Sequence, residues 1–174
     1  MSSESEVLLV AKRFRVVREI QRTADGALHA REIVQHPGSV VILPMVDADR
    51  VCLIRNERVA VHGTLIELPA GTLEPDEDAT LAAGRELAEE TGYRAGSIER
   101  LTSFYVSPGI LNERMYLFLA TQLTEGPTAL EAGEEIEKLV VTWDEALKMV
   151  ETGTIQDAKT LIGLLLCDRL RRKA

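Results

Sequence analysis

The stretch GTLEPDEDATLAAGRELAEETG, running from Gly71 to Gly92, carries seven acidic side chains and one basic one. The acidic residues are Glu74, Asp76, Glu77, Asp78, Glu86, Glu89 and Glu90, and the basic one is Arg85. Pro75-Asp76 reads as a helix start, with acidic residues favourable in the first turn. Leu81, Gly84, Leu87 and Ala88 recur at helical spacing and predict an inward stripe. Gly92 suits a C-terminal stop. On such a helix Glu86, Glu89 and Glu90 stand at i, i+3 and i+4, within an arc of about 100°. A charge run is ordinarily a solvated face. Three carboxylates crowded on one face repel each other, however, and a cation among them relieves the repulsion. Oxygen ligands in this number suit Mg²⁺ or Mn²⁺ rather than zinc. Arg85 can pair with a carboxylate, and Glu77 near the helix start is the best placed.

Outward from this helix the chain reads as strands, with two further helices near its end. Before it come Val7–Val10, Phe14–Gln21 and Leu28–Gln35, the last two joined by an Asp25-Gly26 hairpin turn. His36-Pro37-Gly38 breaks the third strand. Ser39–Val46 is a nearly continuous apolar run that fits a buried strand, although Pro44 cannot donate to a ladder. Val51–Arg55 and Leu65–Leu68 follow, the second ending at Pro69-Ala70-Gly71. After the helix, Ile98–Val106 and Arg114–Leu123 read as strands around the loop Ser107–Glu113, and Ile136–Val141 as another. Thr142-Trp143-Asp144-Glu145 resembles a capping box opening a helix stopped by Gly153. Asp157–Arg172 closes as an amphipathic helix with Leu161, Leu164 and Leu165 inward. The expected class is α/β or α+β, a mixed sheet with helices packed on it.

The whole chain sets bounds. Its 174 residues suit a single domain with a sizeable core. It is 45% hydrophobic and 28% charged, as globular proteins are. A net charge of −8 disfavours nonspecific nucleic-acid binding. A phosphorylated substrate is still admissible, because a bound cation reverses the local field. No apolar run is long enough to span a bilayer. Met1–Glu6 is polar and acidic, without the pattern of a secretory signal, so the expected compartment is the cytoplasm. Cys52 and Cys167 read as buried small hydrophobes without metal-ligand spacing.

The order Gly71, Glu77 and Arg85-Glu86-Leu87-Ala88-Glu89-Glu90-Thr91-Gly92 resembles the Nudix box, with Tyr93 where an aliphatic residue is usual. The resemblance in length and element order covers nearly the whole chain, and implies that residues 1–174 are a single domain of the Nudix fold, a mixed β-sheet sandwiched between α-helices. It also implies roles. Glu86 and Glu90 are the expected main metal ligands, with Glu89 as a further ligand or assistant through water. The carbonyl of Ala70 completes the set, and Gly71 lets the backbone turn it inward. Glu77, Arg85 and Gly92 support the box. Mg²⁺, or Mn²⁺, clamps a diphosphate and activates water.

Fold and box do not name a substrate. Ser107-Pro108-Gly109, with Pro108 after the box, resembles the ADP-ribose pyrophosphatase group. So do Arg31-Glu32-Ile33-Val34 and Glu67-Leu68-Pro69-Ala70-Gly71. The expected reaction is ADP-ribose to AMP and ribose 5-phosphate. GDP-mannose or another nucleotide sugar is the alternative, and a nucleotide-sensing Nudix-fold protein without catalysis is the alternative of another class. Arg31, Arg58, Pro108 and Glu113 are the expected substrate contacts. Of the loop glutamates Glu131, Glu134 and Glu135, Glu134 is preferred as general base, with Glu89 as the alternative. Relatives of this type imply a homodimer, to which the N-terminal strand region, about residues 1–38, contributes.

Overall fold

In the computed structural model, which describes residues 5–130, 133 and 135–173, the chain opens with a small antiparallel sheet. It consists of β1 (Glu6–Val10), β2 (Arg15–Arg22) and β3 (Leu28–Gln35) in the order β1-β2-β3. Gly26 takes a φ of 86° in the β2–β3 turn, and Asp25 accepts hydrogen bonds from Thr23 and Ala27 there. Aspartate and glycine are the residues such a turn favours.

The following strands are β4 (Ser39–Pro44), β5 (Arg50–Arg58), β6 (Gly63–Glu67) and β7 (Ala70–Thr72). Then come α1 (Ala79–Thr91), β8 (Tyr93–Tyr105), β9 (Arg114–Glu125) and β10 (Ile136–Thr142). The helices α2 (Trp143–Glu151) and α3 (Ala158–Arg171) end the order. Among the described residues these strands form two more sheets, β10-β5-β6 and β7-β4-β9-β8. Only the β4–β9 pairing within them is parallel, which makes the architecture mixed.

β4 explains the layering. Every residue in it is buried, and successive side chains point to opposite faces. Val40 and Ile42 pack with Ala82, Ala83 and Leu87 of α1. Val41 and Leu43 pack with Trp143 and Ala146 of α2 and Leu164 and Cys167 of α3. Each such Val, Ile or Leu contributes roughly 1.5–3 kcal/mol by leaving water. The sheets are thereby held between α1 on one side and α2 and α3 on the other. Pro44 is the last residue of β4, and it is Met45 whose N–H continues to the carbonyl of Ala120. Burial pushes the Cys52 thiol up to about 12, consistent with an inert core residue.

Several boundaries and faces differ from the sequence expectation. α1 starts at Ala79 rather than at Pro75-Asp76, because Asp78 is its N-cap and accepts from the N–H groups of Thr80 and Leu81. Such a cap is worth about 1 kcal/mol. Asp76, with a φ of 60°, belongs to a separate turn in which the N–H of Glu77 donates to the carbonyl of Glu74. Leu81, in the first turn, is 71% exposed instead of inward, whereas Leu87 is buried as expected, and Ala82, Ala83, Leu87, Glu90 and Thr91 form the buried face. On α3 Leu165 is likewise outward, at 53% exposure. There the inward stripe is Thr160, Gly163, Leu164 and Cys167. β5 runs on to Arg58, β8 begins directly after Gly92, and Ala70–Thr72, beyond the strand expected to end at Pro69-Ala70-Gly71, pairs with β4. The capping box of α2 is present, with Thr142 and Glu145 bonding each other's backbone. Tyr93 packs in the core beside α1. Among the described residues no helix is long and apolar enough to cross a membrane.

Candidate active site

The end of β5, the strand β7 and the face of α1 meet around a cavity of about 960 Å³. Its wall carries Ala70, Gly71, Glu86, Glu89 and Glu90. Glu90 continues the buried face of α1 and is 5% exposed. Its Oε2 accepts the N–H of Ala70 at 2.9 Å. Glu86 lies directly over Gly71. A Cβ added to Gly71 would meet Glu86 Cδ at 1.9 Å and its two carboxylate oxygens at 2.0 and 2.3 Å. Gly71 is a strand residue paired with Val40, and its φ is not among the positive ones. The glycine is therefore required by the approach of a carboxylate, not by a turn as the sequence suggested.

Arg85 organises the rest of this face. Its Nε and Nη2 donate to the two carboxylate oxygens of Glu77 at 2.9 and 3.0 Å. Its Nη1 donates to Glu86 at 2.8 Å and to Glu89 at 3.0 Å. The hydrogen bond to Glu77 raises the pKa of Arg85, and the same bond holds the Glu77 carboxyl below the usual carboxylate range. Glu77 also accepts the N–H of Glu74, closing the turn before α1. The pairing of Arg85 with Glu77 thus fixes the guanidinium, and the guanidinium offsets the charge of two neighbouring carboxylates.

Fit to a metal ion can be judged from these residues. Among the described residues no group of three or more acidic, imidazole or thiol side chains is drawn together around a common point. Glu86 and Glu89 are instead held by Arg85, and Glu90 by Ala70. The donor set is nevertheless all oxygen, and the Glu86 carboxylate lies over Gly71, the residue next to Ala70. Hard divalent cations take such a set. The residues therefore fit a divalent cation, with Arg85 as the competing partner of two of them.

Arg58 ends β5 on the same cavity. Its Nε and Nη2 donate to Glu67 at 2.8 and 2.6 Å. Glu67 is 1% exposed and also receives Lys159 Nζ at 2.6 Å. Burial pulls the Glu67 pKa up, but Arg58 and Lys159 outweigh it and hold the group below its usual range. Glu113 lines the cavity and is tied within its own chain, accepting from Ser39 Oγ at 2.5 Å with His36 Nδ1 at 3.6 Å.

The other expected contacts are elsewhere. Arg31 is exposed on β3, with Nε 3.4 Å from the side-chain oxygen of Gln21. Pro108 sits in the exposed turn after β8, where the Ser107 carbonyl accepts from Ile110 and Leu111. Neither lines the cavity. Glu134 and Glu131 lie outside the described residues. Their loop still reaches the cavity through Gly133 and Glu135. Lys12, Arg13, Glu67 and Lys159 were not singled out by the sequence. Lys12 and Arg13 come from the turn between β1 and β2, and Lys159 from the start of α3. Nothing local marked them, since their neighbours are contributed by distant segments. Glu67 alone had a signal, an acidic residue closing an otherwise apolar strand.

The model of the NUDIX domain matches residues 35–162. An ADP-ribose pyrophosphatase of Bacillus subtilis is 41% identical over 142 residues, covering 80% of this chain and 77% of that protein. A methanol dehydrogenase activator of Bacillus methanolicus is 36% identical with the same coverage. A GDP-mannose pyrophosphatase of Cronobacter sakazakii is 35% identical over 172 residues, 90% of this chain and 89% of that one. The fold matches the crystal structure of an ADP compounds hydrolase with a TM-score of 0.85 at 21% identity, covering 98% of this chain and 92% of that one.

Proposed function

Because the chain belongs to the NUDIX domain family and its members here include nucleoside diphosphate hydrolases, we propose that it cleaves ADP-ribose to AMP and ribose 5-phosphate with Mg²⁺, Mn²⁺ serving in its place. The observation that carries this reading is the meeting of Glu86 and Glu90 with the Ala70-Gly71 backbone on the wall of a cavity that Arg58 also lines. The similarity to an ADP-ribose pyrophosphatase favours that substrate. The similarity to GDP-mannose pyrophosphatases makes a nucleotide sugar the second reading.

Glu86, Glu90 and the Ala70 carbonyl would hold the cation, with Glu89 as a further ligand or an assistant through water. A cation held there would supply neutralisation of phosphate charge and acidification of the attacking water. Arg58 has committed Nε and Nη2 to Glu67, and its Nη1 is left for a phosphate oxygen. Glu113 binds the far end of the substrate. Glu134 accepts the proton of the attacking water, and Glu89 is the alternative base. A positioned base is worth roughly 10²–10⁴-fold. Arg31 and Pro108, being off the cavity in one chain, contact substrate only through a second copy.

The test is direct. Purified protein with ADP-ribose and Mg²⁺ is expected to yield AMP and ribose 5-phosphate, with GDP-mannose cleaved much more slowly. Cleavage of GDP-mannose alone would move the assignment to the second reading. Cleavage of neither, nor of a wider nucleotide-sugar panel, would reject both.

A homodimer belongs to this reading, with residues 1–174 as one Nudix domain and the region of about residues 1–38 contributing to the interface. All five residues of β1 are exposed, and Val7, Leu9 and Val10 are 53%, 52% and 69% exposed. An apolar edge strand of this kind needs cover, and a second copy supplies it. Light scattering is expected to give twice the monomer mass. A monomeric mass at micromolar concentration would exclude the dimer.

A further inference from the structure

The segment Glu67-Leu68-Pro69-Ala70 is fixed at each of its residues. The Pro69 carbonyl accepts the N–H of Ile42, and the Ala70 N–H donates to Glu90. The other two anchors come from α3, about ninety residues further along the chain. The Leu68 N–H donates to Thr160 Oγ1 at 2.7 Å. The Glu67 carboxylate receives Lys159 Nζ at 2.6 Å, and Lys159 is itself 3.0 Å from Asp157. Asp157 also accepts from the N–H and hydroxyl of Thr160, which caps α3. The helix can come this close because residue 163 is glycine. A Cβ there would meet Leu68 Cδ1 at 2.5 Å.

Lys159 does more than fill space. It is 7% exposed, and Glu67 is 1% exposed. Oε2 of Glu67 is shared by Lys159 Nζ and Arg58 Nη2, both at 2.6 Å. Charge-assisted hydrogen bonds of this length are the strong ones. With Oε2 held from the α3 side, the plane of the Glu67 carboxylate is set. Its two-point pairing with Arg58 then sets the plane of the guanidinium. Arg58 presents one remaining nitrogen, Nη1, and the direction of that nitrogen follows from the chain Asp157–Lys159–Glu67–Arg58.

We infer that Lys159 is a positioning residue for diphosphate binding, acting through Glu67 to aim Arg58 into the cavity. The inference rests on the reading of the cavity as a nucleoside diphosphate site. Lys159 lines the cavity as well, but its Nζ is committed to Glu67 and Asp157, so it acts on the diphosphate through Arg58. Its loss should loosen Arg58 and weaken binding of the diphosphate, while the carboxylates on α1 keep their places. The effect should therefore fall on KM and on ligand binding, with kcat little changed.

The experiment compares Lys159→Met with Lys159→Arg, each alone and in an Arg58→Ala background. Titration calorimetry with ADP, a nucleoside diphosphate that needs no turnover, runs beside ADP-ribose kinetics. Lys159→Met is expected to raise both the ADP Kd and the KM about tenfold, since small misplacements of a contact group cost this much or more. Lys159→Arg is expected to restore most of the loss. In the Arg58→Ala background Lys159→Met is expected to add nothing further. Unchanged ADP binding in Lys159→Met would overturn the inference. So would an equal further loss in the Arg58→Ala background, or a fall confined to kcat and thermal stability, which marks a purely structural role. Wild-type protein that binds ADP and shows the Lys159 effect, yet cleaves no ADP-ribose, would reject the proposed substrate and keep the inference. Wild-type protein that does not bind ADP would overturn both.

Discussion

Glu90→Gln is expected to lower kcat for diphosphate cleavage by about 10³-fold while the protein remains folded. The two halves of this result have separate causes. Glu90 sits at 5% exposure on the buried face of α1, and its Oε2 accepts the Ala70 N–H. Glutamine has nearly the same shape and retains an oxygen for that bond. The stability cost should be about 1 kcal/mol, a shift of about 2–4 °C in Tm. What glutamine lacks is the negative charge. If Glu86, Glu90 and the Ala70 carbonyl hold a hard cation as proposed, the variant would offer it one anionic ligand fewer, and most of the charge neutralisation at the phosphate would be lost. Arg58 would register the change as well, because Glu90 is one of the charges that raise its pKa. Kinetics with saturating Mg²⁺ and a melting curve check both halves. Full activity in Glu90→Gln would remove Glu90 from the metal set, and a large loss of Tm would show that its role is packing.

The contrast between Glu90 and its neighbours shows how far sequence periodicity reaches. The i, i+3, i+4 placement of Glu86, Glu89 and Glu90 was readable because it depends only on the pitch of one helix. So was the pairing of Arg85 with Glu77, eight positions apart on one continuous segment. Of the expected stripe on the same helix, Leu87 is buried and only Leu81, in the first turn, is exposed. The helix cap at Asp78 is set by hydrogen bonds to Thr80 and Leu81, whereas Pro75-Asp76 was an equally good local start. The phase matters here, since it is what buries Glu90 beside Leu87.

Contacts made across the fold were less legible. The buried character of β4 followed from its composition, but the pairing of Ala70–Thr72 with it did not. A three-residue strand has too little pattern to be told from a turn. Lys159 and Glu67 are ninety-two positions apart, and neither has a local motif that predicts the other. Lys12 and Arg13 reach the cavity from a turn whose own sequence is merely basic. In each case the information lies in how the sheets and helices are assembled, which no short window contains.

Gly71→Ala is expected to be a catalytic lesion rather than a folding one. The reason is the kind of atom a new methyl group would meet. It would fall on the end of the Glu86 side chain, with Cδ at 1.9 Å. A glutamate can swing its carboxylate away by changing rotamer, and Gly71 has no positive φ for alanine to resist. Backbone pairing with Val40 can persist. The displaced Glu86 loses its place against the Ala70-Gly71 backbone and its bond from Arg85 Nη1. A kcat about 10²-fold lower, with Tm shifted by less than about 3 °C, is the expected outcome. Gly92→Ala makes the opposite case within the same motif. Gly92 has a φ of 74°, and an added Cβ would meet the carbonyl oxygen of Gly126 at 2.3 Å. That oxygen is backbone and cannot swing aside. The left-handed conformation alone costs about 1–2 kcal/mol, so Tm should fall by at least about 4 °C. The surviving folded enzyme should turn over near the normal rate, because the carboxylates of α1 are untouched. The pair separates two reasons for glycine in one motif: room for a ligand-holding side chain at the start and a left-handed stop at the end. Wild-type kcat in Gly71→Ala would show that the position of Glu86 over Gly71 is not used in catalysis.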